Sequence, residues 1–351
     1  MRRTAAIVGG GIGGLATAIG LIRAGWAVTV FERADDLPKT GTGLGMWPSA
    51  MRALDQLGVG AAARAAGRPQ ANGHIRRNDG SLIATLDVER LARKQGEPVY
   101  LLSRPALLRV LAEAVPGGVV RFGDPVTDLG ALRQAYPLVV VADGANSKAR
   151  AALFPDHRLR YAGATVWRGV TDLDLAAGGE FWGRGVKFGV TPQEPGKTNW
   201  YAVLTVPQGY RPADDLAELR GVFGDWPEPI PAILNRYAET EVLRHDLTYL
   251  DPPLPSYVSG SVVLIGDAAH AMTPDLGQGA CQTLIDAAAL ADCLGSGDVA
   301  AGLARFDALR RKPTQRIAAT AGRVSRLTQW RRGLWLRDLI TKAALIPGPP
   351  A

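Results

Sequence analysis

Short apolar runs alternate with stretches of helical periodicity at both ends of the chain. Thr4–Val8 and Ala27–Phe31 are typical of buried parallel strands, and Ile12–Ala24 between them repeats Leu and Ile at helical spacing. Similar apolar runs at Leu138–Ala142 and Ser261–Ile265 predict two more parallel strands. This strand-helix-strand order predicts an α/β fold built around a parallel sheet.

The middle of the chain follows a different pattern, with apolar residues at alternate positions. Arg160–Val206 alternates in this way and contains several Trp and Phe residues, which predicts an antiparallel sheet with one covered face. Asn72–Leu86 contains two short strands around an Asn78-Asp79-Gly80 turn, a hairpin pattern. We therefore predict that a β-rich domain is inserted into the α/β domain. The predicted α/β domain comprises residues 1–71, 98–159 and 256–351, and the β-rich domain comprises residues 72–97 and 160–255.

Helical periodicity accounts for most of the remaining segments, and a glycine-rich loop is predicted at Gly41–Gly45. The last predicted helix carries four large apolar residues, Trp335, Leu336, Leu339 and Ile340. We interpret these four residues as packing against a neighbouring domain, and a membrane-surface anchor is the alternative. The predicted helices are Ala50–Leu57, Pro105–Val115, Asp214–Phe223, Pro231–Glu241, Ala280–Leu294, Ala300–Arg323 and Gly333–Leu345.

Composition narrows the possible functions. The 351 residues are 47% hydrophobic, which suits two folded domains, and no apolar run reaches the roughly 18 residues of a membrane span. The net charge is +7, but the basic residues are scattered, which does not favour nucleic-acid binding. Cys281 and Cys293 fall in one predicted helix, about 18 Å apart, so they cannot pair, and no metal site is expected. A reducing, cytoplasmic location is predicted, whereas nothing in the pattern predicts an oligomeric state.

The first motif that carries chemistry is Gly9-Gly10-Gly11-Ile12-Gly13-Gly14, between the first strand and the first helix. In such a motif Gly9 permits a tight turn, Gly11 lets the backbone approach a pyrophosphate, and Gly14 lets helix and strand pack closely. The helix N-terminus offers free N–H groups to phosphate. Glu32 ends the second strand, where an acid can bind a ribose diol. The motif predicts an adenine dinucleotide and leaves FAD and NAD open.

Two further polar loops follow buried strands. Asp143–Arg150 comes directly after Leu138–Ala142, at the sheet edge where α/β proteins bind ligands, although an ordinary strand-to-helix turn would look the same. Gly266–Gly279 follows Ser261–Ile265, and its Asp267 can accept hydrogen bonds from sugar-type hydroxyls. The bare N–H groups at the end of this loop open a helix, which suits an anion or an electron-rich ring edge.

Taken together, the three motifs resemble those of the class A flavoprotein monooxygenases, the para-hydroxybenzoate hydroxylase-like aromatic hydroxylases. The likeness covers nearly the whole chain and includes Gly41–Gly45 and Trp167-Arg168-Gly169. It implies a Rossmann-type FAD-binding domain with an inserted antiparallel β-sheet substrate domain and C-terminal helices. The chain departs from the family pattern at Cys281, where Asn is frequent, at Ile285, where an acid is common, and at Ser49.

The resemblance also implies which residues bind the cofactor. Glu32 and Arg33 would lie at the adenosine ribose, and Arg104 at the phosphate or ribityl region. Asp143 with Gly144 would serve FAD and the nicotinamide cofactor, and Asp267 the ribityl or pyrophosphate region. The complete implied set is Gly9, Gly11, Ile12, Gly13, Gly14, Glu32, Arg33, Gly43, Leu44, Arg104, Asp143, Gly144, Asp267, Pro274, Leu276, Gly277, Gln278 and Gly279.

The activity that the resemblance implies is hydroxylation of an aromatic or other electron-rich small molecule with O2, through a flavin C4a-hydroperoxide. The chain has no second GxGxxG motif, which favours transient binding of NADPH or NADH. An oxidase, reductase or epoxidase on the same scaffold, or a non-catalytic flavin-binding redox protein, remains an alternative. No protein nucleophile is needed. The candidate pocket residues are Pro274, Trp200, Tyr201, Arg168, Trp182 and His74. Core packing or a structural ion pair is the competing explanation for Arg168, Trp182, Trp200 and Tyr201, and a surface role is the competing explanation for His74.

Overall fold

The computed structural model describes residues 3–236, 242–295 and 297–345, which form three sheets surrounded by helices. The strands are β1 (Thr4–Val8), β2 (Ala27–Phe31), β3 (Gly43–Met46), β4 (Arg68–Pro69), β5 (Gly73–Arg77), β6 (Leu82–Leu86), β7 (Tyr100–Ser103), β8 (Val120–Arg121), β9 (Leu138–Val141), β10 (Arg158–Thr171), β11 (Gly179–Trp182), β12 (Val186–Pro192), β13 (Thr198–Leu204), β14 (Leu243–Asp251), β15 (Val258–Ser259) and β16 (Val262–Leu264).

The helices occupy most of the segments between the strands. They are α1 (Ile12–Arg23), α2 (Pro48–Gln56), α3 (Gly60–Ala66), α4 (Val88–Gln95), α5 (Arg104–Glu113), α6 (Leu129–Ala135), α7 (Lys148–Leu153), α8 (Asp215–Phe223), α9 (Ile230–Asn235), α10 (Asp267–His270), α11 (Gly279–Cys293), α12 (Val299–Thr328) and α13 (Leu334–Leu345), with a 3₁₀ turn at Pro274–Leu276. None of the helices in the described ranges is long and apolar enough to cross a bilayer.

The first sheet has six strands in the order β15-β16-β9-β1-β2-β8, and all of its pairs are parallel except β15 with β16. Its central strands are apolar runs buried on both faces, as expected of a parallel sheet covered by helices. The three motif loops follow β1, β9 and β16, which are neighbours in the sheet. Because the carboxyl ends of parallel strands share one edge, the three loops meet at that edge.

The second sheet has seven strands in the order β14-β10-β13-β12-β11-β5-β6, and it joins residues 73–86 with residues 158–251. The alternation along β13 separates Trp200 from Tyr201. Trp200 belongs to a core with Trp167 and Phe223, beneath α8 and α9. Tyr201 is opposite Arg168 on the neighbouring strand, and both side chains line the cavity described below.

Most predicted elements are confirmed, including the parallel strands, the hairpin and the antiparallel region. The loop prediction for Gly41–Gly45 is only partly correct, because Gly43–Met46 pairs with β7 in a small sheet of order β3-β7-β4. This pairing joins segments more than fifty residues apart, so the local pattern does not reveal it. The predicted helix Pro231–Glu241 is shorter, ending at Asn235, and residues 237–241 lie outside the described residues.

The last helix, α13, packs in a different way from the predicted one. Trp335, Leu336, Leu339 and Ile340 are exposed, so their interpretation as packing residues is wrong. The buried residues of α13 are Arg337, Asp338 and Thr341, and the helix packs on β6 of the seven-stranded sheet. A charged hydrogen-bond network, described below, holds this face inward and leaves the apolar face outside.

Candidate active site

A cavity of about 1010 Å³ lies between the loop edge of the six-stranded sheet and the inner face of the seven-stranded sheet. Its walls contain most residues of the implied cofactor set, including Pro274, which is also a candidate pocket residue. They also contain three other candidate pocket residues. The predicted residues that line it are Gly11, Ile12, Gly13, Gly43, Leu44, Arg104, Gly144, Asp267, Pro274, Leu276, Gly277, Gly279, Arg168, Trp182 and Tyr201.

Other members of the implied cofactor set lie behind the cavity wall and shape it. Gly9 has φ of +102°, and a Cβ added at Gly14 would collide with the Gly9 carbonyl, so both positions require glycine. Glu32 accepts hydrogen bonds from the backbone N–H groups of Gly10 at 2.6 Å and Ala34 at 2.8 Å. These contacts hold the first loop in place and fix the carboxylate beside it.

Five further predicted residues lie outside the cavity lining, namely Asp143, whose contacts are given below, and Gln278, Arg33, Trp200 and His74. Gln278 is buried and its Oε1 accepts from Gln282 Nε2, whereas Arg33 is exposed. Trp200 is buried and stacks on Phe188 with ring centroids 5.5 Å apart. His74 is half-buried, with Nδ1 3.5 Å from Thr85 Oγ1. The pocket candidates Trp200 and His74 are therefore corrected: β13 turns Trp200 to the face covered by helices, and His74 lies outside the wall.

The second and third motif loops are connected by Arg150. Its guanidinium donates to the carbonyl oxygens of Asp267, Ala268 and Ala145 at 2.6–3.3 Å. Burial lowers the pKa of Arg150 from its ordinary value, although the neighbouring Asp143 and Asp267 act in the opposite direction. The single side chain fixes the spacing of two loops that follow adjacent strands.

The three loops form a site that fits FAD. A Cβ added at Gly11 would meet no atom within 4 Å, so the first loop leaves open space at the N-terminus of α1, where a pyrophosphate binds well. Asp143 Oδ1 is buried and has no hydrogen-bond partner among the described residues, which suits a ligand hydroxyl. Gly277 has φ of +61°, so the chain can turn its N–H groups at the start of α11.

Beneath the third loop lies a buried polar network centred on Asp286. Its carboxylate contacts Gly266 N at 3.0 Å, His270 Nε2 at 2.6 Å and Arg310 Nε at 2.7 Å. Burial alone would raise the pKa of Asp286, but His270, Arg310 and the Gly266 N–H lower it below its ordinary value. Asp286 thus holds the loop as a carboxylate, next to Ile285, the position where the family frequently has an acid.

A polar cluster on the inner face of the seven-stranded sheet was not predicted from the sequence. Lys187 Nζ lies 2.9 Å from Asp275 Oδ1 and 3.5 Å from Glu180 Oε1. Tyr201 donates its hydroxyl to Glu180 Oε1, and Trp182 Nε1 donates to Glu180 Oε2 at 2.6 Å. From the alternation along β11 and β12 alone, charged residues such as Glu180 and Lys187 are expected to face solvent. The structure shows that they line the cavity instead.

The charges of this cluster follow from burial and close pairing. Burial by itself would lower the pKa of Lys187, but Asp275 and Glu180 raise it above its ordinary value, so the ammonium stays charged. Burial, together with Glu180 and Asp275, raises the pKa of Tyr201 well above its ordinary value. Burial lowers the pKa of Arg168, opposed by Tyr201 and Asp275. At neutral pH Tyr201 is therefore a hydrogen-bond donor and Lys187 a cation.

Two residues hold strand β3 in the cavity wall. Asn199 was not predicted from the sequence, and Cys281 was noted there without a structural role. Asn199 Oδ1 accepts from Gly43 N–H at 2.9 Å, and Cys281 Sγ lies 3.1 Å from the Gly45 carbonyl oxygen. Burial raises the pKa of Cys281 to about 12, so the thiol is protonated and acts as a weak donor. Cys281 thus fixes the glycine-rich strand and has no redox partner, since Cys293 is also free.

A Rossmann-type sheet with three converging loops faces a sheet that is antiparallel in all its pairs except β11 with β5, and this arrangement around one cavity is typical of FAD-dependent hydroxylases. The profile of the FAD binding domain family matches residues 2–135 and 245–320. Aurachin C monooxygenase/isomerase of Stigmatella aurantiaca is 35% identical over 97% of this chain and 94% of that protein. The chain belongs to this family, and it is an FAD-dependent monooxygenase of the class A aromatic hydroxylases.

A second relative and a solved structure are also similar to this chain. 2-Heptyl-3-hydroxy-4(1H)-quinolone synthase of Pseudomonas aeruginosa is 31% identical over 98% of this chain and 94% of its own length. The crystal structure of Klebsiella pneumoniae HpxO complexed with FAD and uric acid superimposes with a TM-score of 0.88 at 24% identity. It covers 96% of this chain and 91% of HpxO, which confirms the predicted fold class.

Proposed function

We propose that this monooxygenase uses NADH or NADPH and O2 to hydroxylate an aromatic ring that carries an N–H or O–H donor and an apolar substituent. The observation that carries the proposal is the state of Asp275. Its side chain is 1% exposed and lines the cavity, Oδ1 is held by Lys187, and Oδ2 has no hydrogen-bond partner among the described residues. A buried carboxylate oxygen of this kind is strongly stabilised by a donor on the ligand.

The cofactor roles follow the three loops. Gly9, Gly11 and Gly14 shape the pyrophosphate site, and Glu32 accepts from the adenosine ribose. Asp143, with its free buried Oδ1, and Asp267 accept from the sugar-type hydroxyls between the loops. Remaining contacts come from Ile12, Gly13, Arg33, Gly43, Leu44, Arg104, Gly144, Leu276, Gly277, Gln278 and Gly279. FAD reduced by the nicotinamide cofactor supplies the chemistry that activates O2 and delivers one oxygen atom.

The chain's own residues orient the substrate and exclude water. Asp275 lies in the 3₁₀ turn directly after Pro274, at the start of the loop proposed to face the flavin ring. A substrate N–H or O–H that donates to Asp275 Oδ2 therefore presents its ring beside that loop. Such a hydrogen bond to a carboxylate also makes the ring more electron-rich, which favours attack on an electrophilic oxygen. Lys187 Nζ holds Asp275 Oδ1 at 2.9 Å, and the Tyr201 hydroxyl, which donates to Glu180, belongs to the same polar part of the cavity lining.

The apolar remainder of the substrate is proposed to contact the aliphatic part of the cavity lining. That part comes from β5, β6, α12 and α13, namely Ile75, Leu86, Val324, Leu327 and Leu345. An aliphatic wall of this kind favours an alkyl or similar substituent. One similar protein is named for a quinolone with a heptyl chain, which combines the N–H donor and the substituent that this cavity suits.

The domain division and the location remain part of this proposal. Residues 1–71, 98–159 and 256–351 form the proposed FAD-binding domain, and residues 72–97 and 160–255 the substrate-binding domain. Helix α13 belongs to the proposed FAD-binding domain, but it packs against β6 of the proposed substrate-binding domain. Cys281 and Cys293 are unpaired, which supports the reducing cytoplasm as the location.

The activity is tested by labelling with ¹⁸O2 in the presence of NADH or NADPH and a set of 2-alkyl heteroaromatic N–H compounds. We expect one labelled oxygen atom in the product for each nicotinamide consumed. Labelled hydrogen peroxide with an unlabelled product would instead support the oxidase alternative. A product that carries an epoxide ring would support the epoxidase alternative.

The role of Asp275 is tested with Asp275→Asn and, as a control, Asp156→Asn at an exposed carboxyl. Loss of a hydrogen bond to a charged group predicts a fall in kcat/KM of about tenfold or more for Asp275→Asn. Bound FAD should be unchanged in both variants. An unchanged kcat/KM in Asp275→Asn would remove Asp275 from the substrate site, whatever the outcome of the labelling.

A further inference from the structure

Helix α13 shows an inverted distribution of polar and apolar side chains. Trp335 is 72% exposed and Leu339 is 56% exposed, and the neighbouring Leu336 and Ile340 lie on the same outward face. Arg337, in contrast, is 1% exposed, and Asp338 next to it is also buried. Half of the exposed large hydrophobic residues in the described part of the chain lie on this helix. Exposed apolar patches on one element mark interaction surfaces.

The orientation of α13 is fixed by its charged inward face. Arg337 Nη1 donates to the Gly183 carbonyl at 2.7 Å, and its guanidinium lies 5.5 Å from the centroid of the Trp182 ring. Asp338 accepts from Arg77 Nε at 2.6 Å. Arg337 and Asp338 also pair with each other at 2.8 Å, and rotation of the helix to bury its apolar face would break the contacts of both residues with the sheet. The outward apolar face is therefore a built feature of the fold.

The surroundings of this face are strongly basic. Between residues 314 and 345 the sequence has seven basic residues and one acidic residue, and the acidic one is the buried Asp338. Arg326, Arg332 and Lys342 are exposed. An apolar face with a protruding Trp and a rim of arginine and lysine is complementary to a lipid surface that carries negative charge.

We propose that the outward face of α13 docks on an anionic membrane surface, with Trp335 and Leu339 inserted between the lipid headgroups. The basic rim then lies at the level of the lipid phosphates. A second copy of this chain fits the patch less well. A stable interface buries about 800 Å² on each partner, more than four side chains of a three-turn helix supply. Two helices with the same basic rim would also repel each other.

The same helix forms part of the active-site cavity. Thr341, Ala344 and Leu345 of α13 line that cavity, together with Val324 and Leu327 of α12. A membrane-docked α13 thus places an aliphatic cavity wall directly behind the lipid contact. This link to catalysis rests on the proposed apolar substrate: such a molecule would partition into the lipid and reach the cavity past α13. The docking itself is independent of which substrate is used.

Vesicle flotation with the full-length holoenzyme tests the docking. We expect the wild type to float with vesicles of phosphatidylglycerol and phosphatidylcholine in equal parts, and to stay behind with phosphatidylcholine alone. The double variant Trp335→Ser/Leu339→Gln should bind at least about tenfold more weakly. Arg332→Gln and Lys342→Gln should each weaken binding by about fivefold, and added salt should do the same.

Leu309→Gln is the matched control, because Leu309 is also 56% exposed but lies on α12, roughly 29 Å along the helix from its C-terminal end. It should bind vesicles like the wild type, and every variant should keep its FAD and its NAD(P)H oxidation. No flotation of the wild type at low salt would overturn the proposal. So would a concentration-dependent dimer in sedimentation velocity that Trp335→Ser/Leu339→Gln disrupts, since this would make a second copy the partner. If the wild type turned over its substrate normally but did not float with vesicles, the docking proposal would be wrong and the proposed function would stand.

Discussion

His270 Nε2 lies 2.6 Å from Asp286 Oδ2, so a buried hydrogen bond joins the third motif loop to helix α11. Arg310 of α12 binds the other oxygen of the same carboxylate at 2.7 Å. His270 is the last residue of the short helix α10, which begins at Asp267. Asp267, which is proposed to contact the cofactor, is therefore positioned by three helices that meet at Asp286, and the side chains that form this junction lie outside the cavity lining.

Asp286→Asn should destabilise the protein by about 3 kcal/mol, since it leaves Arg310 buried without its counter-charge. Because the pKa of Asp286 is lowered in the folded state, its contribution is present above the unfolded pKa of about 3.9 and is lost as the pH falls through the folded value. Urea unfolding should therefore show a constant difference from the wild type near neutrality and a smaller one below about pH 4. Asp292→Asn, at an exposed position of the same helix, should change little.

Gly11→Ala should separate cofactor binding from folding. The added methyl group meets no protein atom, so the free energy of unfolding of the apoprotein should stay within about 1 kcal/mol of the wild type. The methyl occupies the space proposed for the pyrophosphate, and FAD titration should give at least a tenfold higher Kd. Gly14→Ala should instead disrupt folding, because its Cβ collides with the Gly9 carbonyl. Unchanged FAD affinity in Gly11→Ala would contradict the placement of the pyrophosphate.

Lys187→Gln should cost about 3 kcal/mol, because Asp275 and Glu180 would lose their buried cation. The pKa of Lys187 is raised in the folded state, so its contribution is complete below the unfolded pKa of about 10.4 and is lost only as the pH rises through the folded value. Thermal unfolding between pH 6 and 9 should therefore show the same loss throughout. Lys197→Gln, whose side chain is 53% exposed, is the control and should cost less than about 1 kcal/mol.

Cys281 should resist alkylation in the folded protein. Burial raises the pKa of its thiol to about 12, so iodoacetamide at pH 8 meets neither a thiolate nor an accessible sulfur. Peptide mass spectrometry should find Cys281 unmodified in the native holoenzyme and fully modified after unfolding in urea. Rapid native alkylation would mean that the contact of Cys281 with Gly45 is not maintained in solution.

The sequence by itself determined the cofactor and the framework that holds it. Glycines at Gly9 and Gly14, an acid at Glu32 and apolar strands before each loop are local requirements, because each serves a turn or a strand end that its own neighbours define. The resemblance of the three loops to one family then gave the reaction class, and the family match confirms it. Such patterns are readable because turn geometry and burial act over a few residues.

Only the tertiary structure decided which side chains face the substrate and which face the outside. Glu180, Lys187 and Asp275 come from separate segments and become a cluster only when the two sheets enclose a cavity. Trp200 and Tyr201 are adjacent in sequence, yet one belongs to the core and the other to the cavity, because both faces of the sheet are covered. On α13, the apolar pattern predicted packing, but long-range partners in the sheet bind its charged residues instead. Local periodicity shows that a helix has two faces, and contacts distant in sequence decide which face is buried.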